Sequence, residues 1–176
     1  AVAESVSYSN SRVLVVDDNA VNQQVVSVML ERYGCTVDVA ANGIEAVNQV
    51  RLLPYDIVLM DCQMPEMDGY QATRQIRLFE QDRATHLPIV ALTANAMTGD
   101  ADKCFAAGMD DYLSKPILPE DLARVLGKWL KPAKASNAVA QGAVATLPLQ
   151  PESDDEFEKV RQMLGGKHGM LVQLYL

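Results

Sequence analysis

Short apolar runs alternate with longer amphipathic stretches between residues 12 and 130 of the chain. The apolar runs are RVLVVD, TVDVA, DIVLMD, PIVALT and DYLSK, and a stretch of helical periodicity follows each of them. The predicted helices run from about Asn19 to Tyr33, Gly43 to Leu53, Met67 to Glu80, Thr98 to Ala107 and Pro119 to Leu130. Runs such as Ile57–Leu59 are unbroken rather than alternating, which suits strands of a parallel sheet that helices cover on both faces.

Helix periodicity and the residues at the predicted helix ends support this interpretation. The predicted core-facing residues are Val21, Val25, Val28 and Met29 in the first helix and Leu122, Val125, Leu126 and Trp129 in the last. Gly34 is a predicted C-cap, Asn42 a predicted N-cap, and Pro119 suits a first helical position. The pattern predicts an α/β fold, a doubly wound five-stranded parallel sheet in the flavodoxin-like order 2-1-3-4-5 with five helices on two faces.

Composition changes on either side of this domain. Residues 1–10 are small and polar, which predicts a linker from an upstream module, with the folded domain over residues 11–131. Residues 132–153, rich in Ala, Pro, Gln and Ser, predict a flexible linker. Residues 154–176 contain one helical pattern stopped by glycines and a second that ends in mid-pattern, so we predict the start of a truncated helical segment.

Charge and hydropathy narrow the function classes. The net charge of −8 would repel nucleic-acid phosphates and anionic lipid headgroups, so neither nucleic-acid binding nor direct membrane contact is expected. The apolar runs are far shorter than the roughly 20 residues needed to cross a bilayer, and the domain is expected to be cytoplasmic. The three cysteines are scattered, which favours reduced thiols over a zinc site or a disulfide scaffold.

Polar residues whose side chains can react or bind ligands lie at the predicted strand ends. Asp17 and Asp18 end the first strand, Asp61 the third, Thr93 the fourth and Lys115 the fifth. Ligands of open α/β sheets bind beyond the carboxyl ends of the strands, so these side chains are expected to converge if the strands are adjacent. Clustered carboxylates repel one another, and a divalent cation with a preference for hard oxygen ligands, Mg²⁺, would resolve that conflict.

One carboxylate of such a site could attack phosphorus and form an aspartyl phosphate. Asp61 is the best candidate because it stands alone at the end of the central apolar run, whereas Asp17 and Asp18 form a pair suited to holding metal. Lys115 could contact one phosphoryl oxygen as a point charge, and the Thr93 hydroxyl could donate to another.

Four segments together resemble a known family. LVVDDNAVNQ, VLMDCQMPEMDGYQATRQIR, VALTANAM and GMDDYLSKP are similar to the receiver domains of response regulators, and most of all to the C-terminal receivers of hybrid sensor histidine kinases. The resemblance covers about Arg12 to Leu130. It implies a phosphoacceptor domain of a two-component phosphorelay, with self-catalysed phosphoryl transfer from phosphohistidine and slow hydrolysis. Its implied partners are a histidine kinase core or a histidine phosphotransfer domain in the same parent chain. In this family the parent kinase can be anchored in the inner membrane.

The resemblance also assigns roles around the phosphoryl site. It implies that Asp61 is the phosphoacceptor and that Asp18, Asp61 and the backbone carbonyl of Gln63 bind Mg²⁺, with Asp17 nearby or acting through water. Lys115 would contact the phosphoryl group, and the family's peptide bond before Pro116 is cis.

Further positions match the family's switch. Thr93 resembles the hydroxyl that moves toward the phosphoryl group, and Ala94 the small neighbour that leaves it room. Tyr112 stands where the family places an aromatic that turns inward, although simple packing would also account for it. Gln63 and Asn95 occupy positions that tune hydrolysis of the phosphoryl group.

Three other functions would use a similar fold. A phosphohydrolase of the haloacid dehalogenase type would need a second Asp two residues after the nucleophile, where this chain has Gln63. A dinucleotide enzyme would need a glycine-rich first turn, which reads DDNAVN here. A receiver-shaped binding module that works without phosphorylation stays open. The tail FEKVRQMLGG loosely resembles the opening helix of a histidine phosphotransfer domain, but it contains no His followed closely by Lys and Gly, as in that family's phosphorylated-histidine motif, so His168 is not expected to be a phosphoacceptor.

Overall fold

The computed structural model describes residues 6–95 and 97–133, which form one α/β unit. Its strands are β1 (Arg12–Val16), β2 (Thr36–Ala40), β3 (Ile57–Asp61), β4 (Ile89–Thr93) and β5 (Asp111–Ser114). Its helices are α1 (Ala20–Arg32), α2 (Gly43–Leu52), α3 (Gly69–Glu80), α4 (Thr98–Ala107) and α5 (Pro119–Trp129). All neighbouring strands pair in parallel in the order β2-β1-β3-β4-β5, which confirms the predicted fold class.

Two apolar layers enclose the sheet. Alternate residues of the central strands, such as Leu59 and Met60, belong to opposite layers because successive side chains of a strand point to opposite faces. One layer packs against α1 and α5, and the other against α2, α3 and α4. Every residue of β3 and β4 is buried, which explains why their sequences are unbroken apolar runs up to the last residue.

Local hydrogen bonds set the helix starts. The side chains of Asn19, Asn42 and Asp68 accept hydrogen bonds from the first turns of α1, α2 and α3, as N-cap residues do. Gly34 follows α1 with a φ of 81°, a left-handed conformation that favours glycine. The predicted N-cap at Asn42 and the predicted start of α5 at Pro119 are therefore confirmed, whereas the C-cap of α1 is Tyr33 and Gly34 is the left-handed residue directly after it.

The predicted core face of α1 is wrong for three of its four residues. Val21, Val25 and Val28 are 69%, 47% and 39% exposed, and only Met29 packs against the core. The buried residues of α1 are Val26 and Leu30. Apolar residues at helical spacing occur on two faces of this helix, and the face that meets the sheet is chosen by tertiary packing rather than by periodicity. The predicted face of α5 is correct, since Leu122, Val125 and Leu126 are buried and Trp129 packs beside them.

Packing extends beyond the predicted boundaries of residues 11–131. Tyr8 is buried, its N–H donates to the Tyr33 carbonyl at 2.7 Å, and the two rings lie 6.3 Å apart. The Ala133 N–H donates to the Ser7 carbonyl at 2.8 Å, so the two ends of the domain meet. Within the described residues, no helix is long and apolar enough to span a membrane. The predicted linker from residue 134 onward, the helical segment of residues 154–176 and His168 lie outside the described residues.

Candidate phosphoryl-transfer site

The strand ends converge as the sequence predicts. β3 lies between β1 and β4, so Asp17, directly after β1, stands beside Asp61, the last residue of β3. Lys115, directly after β5, reaches across the edge of the sheet: its Nζ lies 2.9 Å from Asp17 Oδ2 and 3.0 Å from Asp61 Oδ2. The Lys115 N–H donates to the Thr93 carbonyl at 2.8 Å, which fixes the start of the loop after β5 against β4.

Three carboxylates form an acidic cluster at this edge. One carboxylate oxygen from each of Asp17, Asp18 and Asp61 lies within 4.8 Å of the others. The cluster is graded in burial, with Asp17 1% exposed, Asp61 6% exposed and Asp18 exposed to solvent. Hard oxygen donors at this spacing fit a divalent cation such as Mg²⁺, which compensates negative charge and retains several waters.

The electrostatics of the cluster follow from burial and from Lys115. Burial raises the pKa of Asp61, while hydrogen bonds from the Lys115 ammonium and from the Gln63 N–H, at 3.1 Å to Oδ1, oppose the rise. Burial lowers the pKa of Lys115, but Asp17 and Asp61 outweigh it and leave the pKa above its ordinary value. The ammonium therefore stays charged between the carboxylates of Asp17 and Asp61, and burial disfavours the charged form of Asp61.

A cavity of about 230 Å³ opens beside Asp61. Thr93 and Lys115 line it together with Gln63, Ala94 and Asn95, so it gathers most of the predicted site residues. The buried Thr93 hydroxyl donates to the Asn95 carbonyl at 3.1 Å and accepts from the Asn95 N–H at 3.2 Å. These two contacts are local, so the hydroxyl can exchange them for a group bound on Asp61 without breaking the sheet.

Tyr112 lies in β5 opposite Ala91, two residues before Thr93 on the adjacent strand. The ring is half-buried and meets the Phe105 ring of α4 edge-on, with 6.3 Å between centroids. Sequence reasoning missed Phe105. The peptide bond between Lys115 and Pro116 is cis, as the resemblance implied.

The Cys62 thiol lies next to the site but is buried. Cys62 belongs to the core layer opposite Asp61's strand face, as predicted, and its Sγ lies 3.8 Å from Cys104 Sγ. Burial raises the pKa of the Cys62 thiol to about 12, which leaves it protonated and a poor nucleophile. All three cysteines are free and buried.

Two polar residues of α1 that the sequence analysis did not single out also contact the site. Asn22 Nδ2 lies 3.2 Å from both carboxylate oxygens of Asp17. Gln23 Nε2 donates to the backbone carbonyls of Asp17 at 2.6 Å and Ala40 at 3.2 Å, which ties the ends of β1 and β2 together. Their positions three and four residues after the N-cap Asn19, on the turn that faces the strand ends, are the signal that could have identified them.

Comparison with known proteins agrees with this geometry. The response regulator receiver domain family matches residues 13–126. The chain is 47% identical over 127 residues to the sensor histidine kinase GacS of Pseudomonas protegens, an alignment that covers 72% of this chain and 14% of that protein. The similar segment is therefore a small part of a larger kinase.

Solved structures show the same architecture. The receiver domain of the sensor histidine kinase PA1611 from Pseudomonas aeruginosa, crystallised with magnesium in its active site cleft, is 48% identical, with a TM-score of 0.62 and coverage of 68% of this chain and 96% of that one. A chain of the co-crystal structure of the Saccharomyces cerevisiae phosphotransfer protein Ypd1 with the Ssk1 receiver is 34% identical, with a TM-score of 0.64 and coverage of 68% and 88%. The family match spans more than half of the sequence and the fold and strand-end residues agree with it, so the chain belongs to the receiver domain family of response regulators.

Proposed function

We propose that this receiver takes a phosphoryl group from a phosphohistidine onto Asp61 and changes its interaction surface in response, as part of a hybrid sensor histidine kinase. The observation that carries the proposal is the Asp61 carboxylate, which lies between the Lys115 ammonium and two further aspartates at the mouth of a cavity. In the reaction, an Asp61 carboxylate oxygen forms a bond to phosphorus while the phosphorus–nitrogen bond to the donor imidazole breaks, and the imidazole leaves with its electron pair and takes up a proton.

The residues around Asp61 have distinct parts in this step. Mg²⁺, when bound, offsets negative charge on the incoming phosphoryl group. Asp18, Asp61 and the backbone carbonyl of Gln63 would hold it, and Asp17 would act through water because hydrogen bonds already occupy its carboxylate oxygens. Lys115 stabilises charge on the phosphoryl oxygens.

The response begins at Thr93. A phosphoryl group brings about −1.5 to −2 charges and strong acceptor oxygens, which favour donation from the Thr93 hydroxyl over its local bonds to Asn95. Ala94, a small and exposed residue next to Thr93, leaves room for that movement. Space released on β4 then allows the half-buried Tyr112 ring to turn inward, away from Phe105, and to change the surface of α4, β5 and α5. Phosphorylation thereby shifts an equilibrium between two arrangements of this surface.

The lifetime of the phosphoryl group depends on access of water to Asp61. Gln63 and Asn95 line the cavity that holds the Asp61 carboxylate, so their carboxamides are placed to position or exclude a hydrolytic water. Slow self-catalysed hydrolysis at this cavity would return the domain to its resting state.

The phosphodonor domain is proposed to dock beside α1. Val21, Val25 and Val28 leave an apolar stripe exposed on the helix that follows Asp17 and Asp18. An exposed apolar stripe next to a reactive site is typical of a protein interaction surface. The partner would be a histidine kinase core or a histidine phosphotransfer domain of the same parent chain, and the co-crystal of Ypd1 with the Ssk1 receiver supports a partner of that class. The domain would work in the cytoplasm.

Labelling with a small donor tests the proposal. Incubation with phosphoramidate and Mg²⁺ should add one acyl phosphate, recognised by mass and by cleavage with hydroxylamine. Asp61→Asn should abolish the label, whereas Asp82→Asn, on an exposed residue of the loop after α3, should retain it. Full labelling of Asp61→Asn would contradict the assignment of the acceptor. Absence of labelling in the unmodified chain would favour a binding module that works without phosphorylation.

Metal binding and the switch have separate tests. Mg²⁺ affinity, followed by NMR, should fall strongly in Asp18→Ala, and an unchanged affinity would contradict the choice of ligands. Beryllofluoride, which stands in for the phosphoryl group, should shift NMR signals from the strand ends as far as Tyr112. In Lys115→Ala the shifts should stay near Asp61, and equal spreading in both proteins would remove Lys115 from the switch.

A further inference from the structure

The buried Asp17 carboxylate uses all its oxygens on protein donors. Its Oδ1 accepts from the Asn19 N–H at 2.9 Å and from Asn22 Nδ2 at 3.2 Å. Its Oδ2 accepts from Asn22 Nδ2 at 3.2 Å and from Lys115 Nζ at 2.9 Å. Oδ2 therefore depends on two donors, the Lys115 ammonium and the Asn22 carboxamide.

Asn22 is well placed to be the permanent donor of the two. It lies in the first turn of α1, whose start is fixed by the Asn19 cap, so its backbone position is set by the helix. Its nitrogen rather than its oxygen must face Asp17, because an amide oxygen would repel the carboxylate. Asn22 Nδ2 lies at the same distance from both oxygens, so this one donor contacts the whole carboxylate group of Asp17.

Lys115 differs from Asn22 because its Nζ also contacts Asp61 Oδ2, at 3.0 Å. Phosphorylation converts the Asp61 carboxylate into an acyl phosphate and moves negative charge outward onto the phosphoryl oxygens. The ammonium follows the stronger negative charge. Asp17 Oδ2 is then left with Asn22 as its protein donor, while Asp17 itself stays buried and charged.

We propose that Asn22 is a positioning residue for phosphoryl transfer, which keeps Asp17 compensated and oriented when Lys115 turns from Asp17 to the phosphoryl group. The inference rests on the proposed function. It predicts that the Asn22 hydrogen bond stabilises the phosphorylated state more than the resting state, in which Lys115 also donates to Asp17. A hydrogen bond to a buried charge left without a second donor changes an equilibrium by about tenfold.

A double-mutant cycle on beryllofluoride affinity tests this difference, at saturating Mg²⁺ so that metal affinity does not enter. Asn22→Ala should weaken beryllofluoride binding about tenfold. In the Lys115→Ala background both states already lack the ammonium, so adding Asn22→Ala should cause no further loss. Gln24→Ala removes an exposed carboxamide from the same helix and should bind as the unmodified chain does.

The outcomes are distinguishable. Failure of the unmodified chain to bind beryllofluoride would overturn the proposed function itself. Normal binding by Asn22→Ala would overturn the role of Asn22 alone. An equal loss with and without Lys115 would show that Asn22 favours the beryllofluoride-bound state independently of Lys115, and would overturn its role as the donor that remains when Lys115 turns away. Should Asn22→Ala not fold by circular dichroism, Asn22→Ser, whose side chain is too short to reach both oxygens, serves the same cycle.

Discussion

The junction between the phosphoacceptor strand and α3 leaves no space for a side chain at Gly69. A Cβ built on Gly69 would overlap the backbone carbonyl oxygen of Asp61 and lie 3.0 Å from both the Asp61 carbonyl carbon and Met60 Cγ. The Gly69 N–H also donates to the Cys62 carbonyl at 3.2 Å, which keeps the start of α3 against this strand end. Because backbone atoms of the central strand cannot rotate away, Gly69→Ala should push α3 and Asp61 apart.

The expected cost can be estimated. Overpacking of a well-packed site costs about 1–3 kcal/mol, and the better helix propensity of Ala returns up to about 1 kcal/mol, of which the first helical residue gains only part. A net loss of about 1–2 kcal/mol should lower the melting temperature by about 3–10 °C. Labelling by phosphoramidate should slow by about tenfold or more, since displacement of a reacting group by an ångström can cost two orders of magnitude.

Urea unfolding followed by the fluorescence of Trp129, the single tryptophan, measures the stability term. The matched control is Gly99→Ala in the first turn of α4, where a Cβ would meet nothing within 4 Å. That substitution should stabilise the protein by about 0.4–1 kcal/mol, because it restricts only the unfolded chain. If Gly69→Ala matched Gly99→Ala in both stability and labelling rate, the close approach of α3 to Asp61 would be refuted.

Three further predictions concern charge and the exposed face of α1. Burial raises the pKa of Asp111, but hydrogen bonds from Trp129, Lys128 and the next backbone N–H outweigh it and lower the pKa below 3.8. Asp111→Asn should therefore reduce the free energy of unfolding by about 1–2 kcal/mol at neutral pH. Urea unfolding should show that this difference in stability vanishes as the pH falls below 3.8. In Mg²⁺-free buffer, Asp61→Asn should raise the urea concentration at the midpoint of unfolding, since it removes a carboxylate whose burial is unfavourable. Val25→Glu, on the 47% exposed residue of α1, should slow phosphorylation by the cognate phosphohistidine protein while labelling by phosphoramidate stays unchanged, and equal rates with the protein donor would place the docking surface elsewhere.

The sequence predicts this fold well where one physical constraint acts alone. β3 and β4 are buried on both faces, so they read as continuous apolar runs, and the residues that end them are the first that can be polar. A parallel sheet brings those ends to one edge, which is why Asp61 and Thr93 could be assigned to one site from spacing and chain order.

The sequence is less informative where two constraints compete. α1 must pack on the sheet and, as proposed, must also present a partner surface, so apolar residues occupy two of its faces and periodicity cannot rank them. Tyr8 lies in a polar segment without periodicity, and its burial depends on the core layer that α1 and α5 form with the sheet and on its hydrogen bond to Tyr33. Asn22 resembles an ordinary polar helix residue until the position of Asp17 is known.

Burial of the three aspartates supports a division of labour among them. Asp17 is almost fully buried and both its carboxylate oxygens accept hydrogen bonds, so it cannot bind a metal ion directly without losing one of them, and it suits a fixed positioning role. Asp18 is exposed and can exchange water for a cation at little cost. Asp61 lies between these extremes, buried enough to raise its pKa and yet open to a cavity through which a phosphoryl group can approach. Conversion to an acyl phosphate moves negative charge from the buried carboxylate outward onto the phosphoryl oxygens, where the Lys115 ammonium and the Thr93 hydroxyl can contact it.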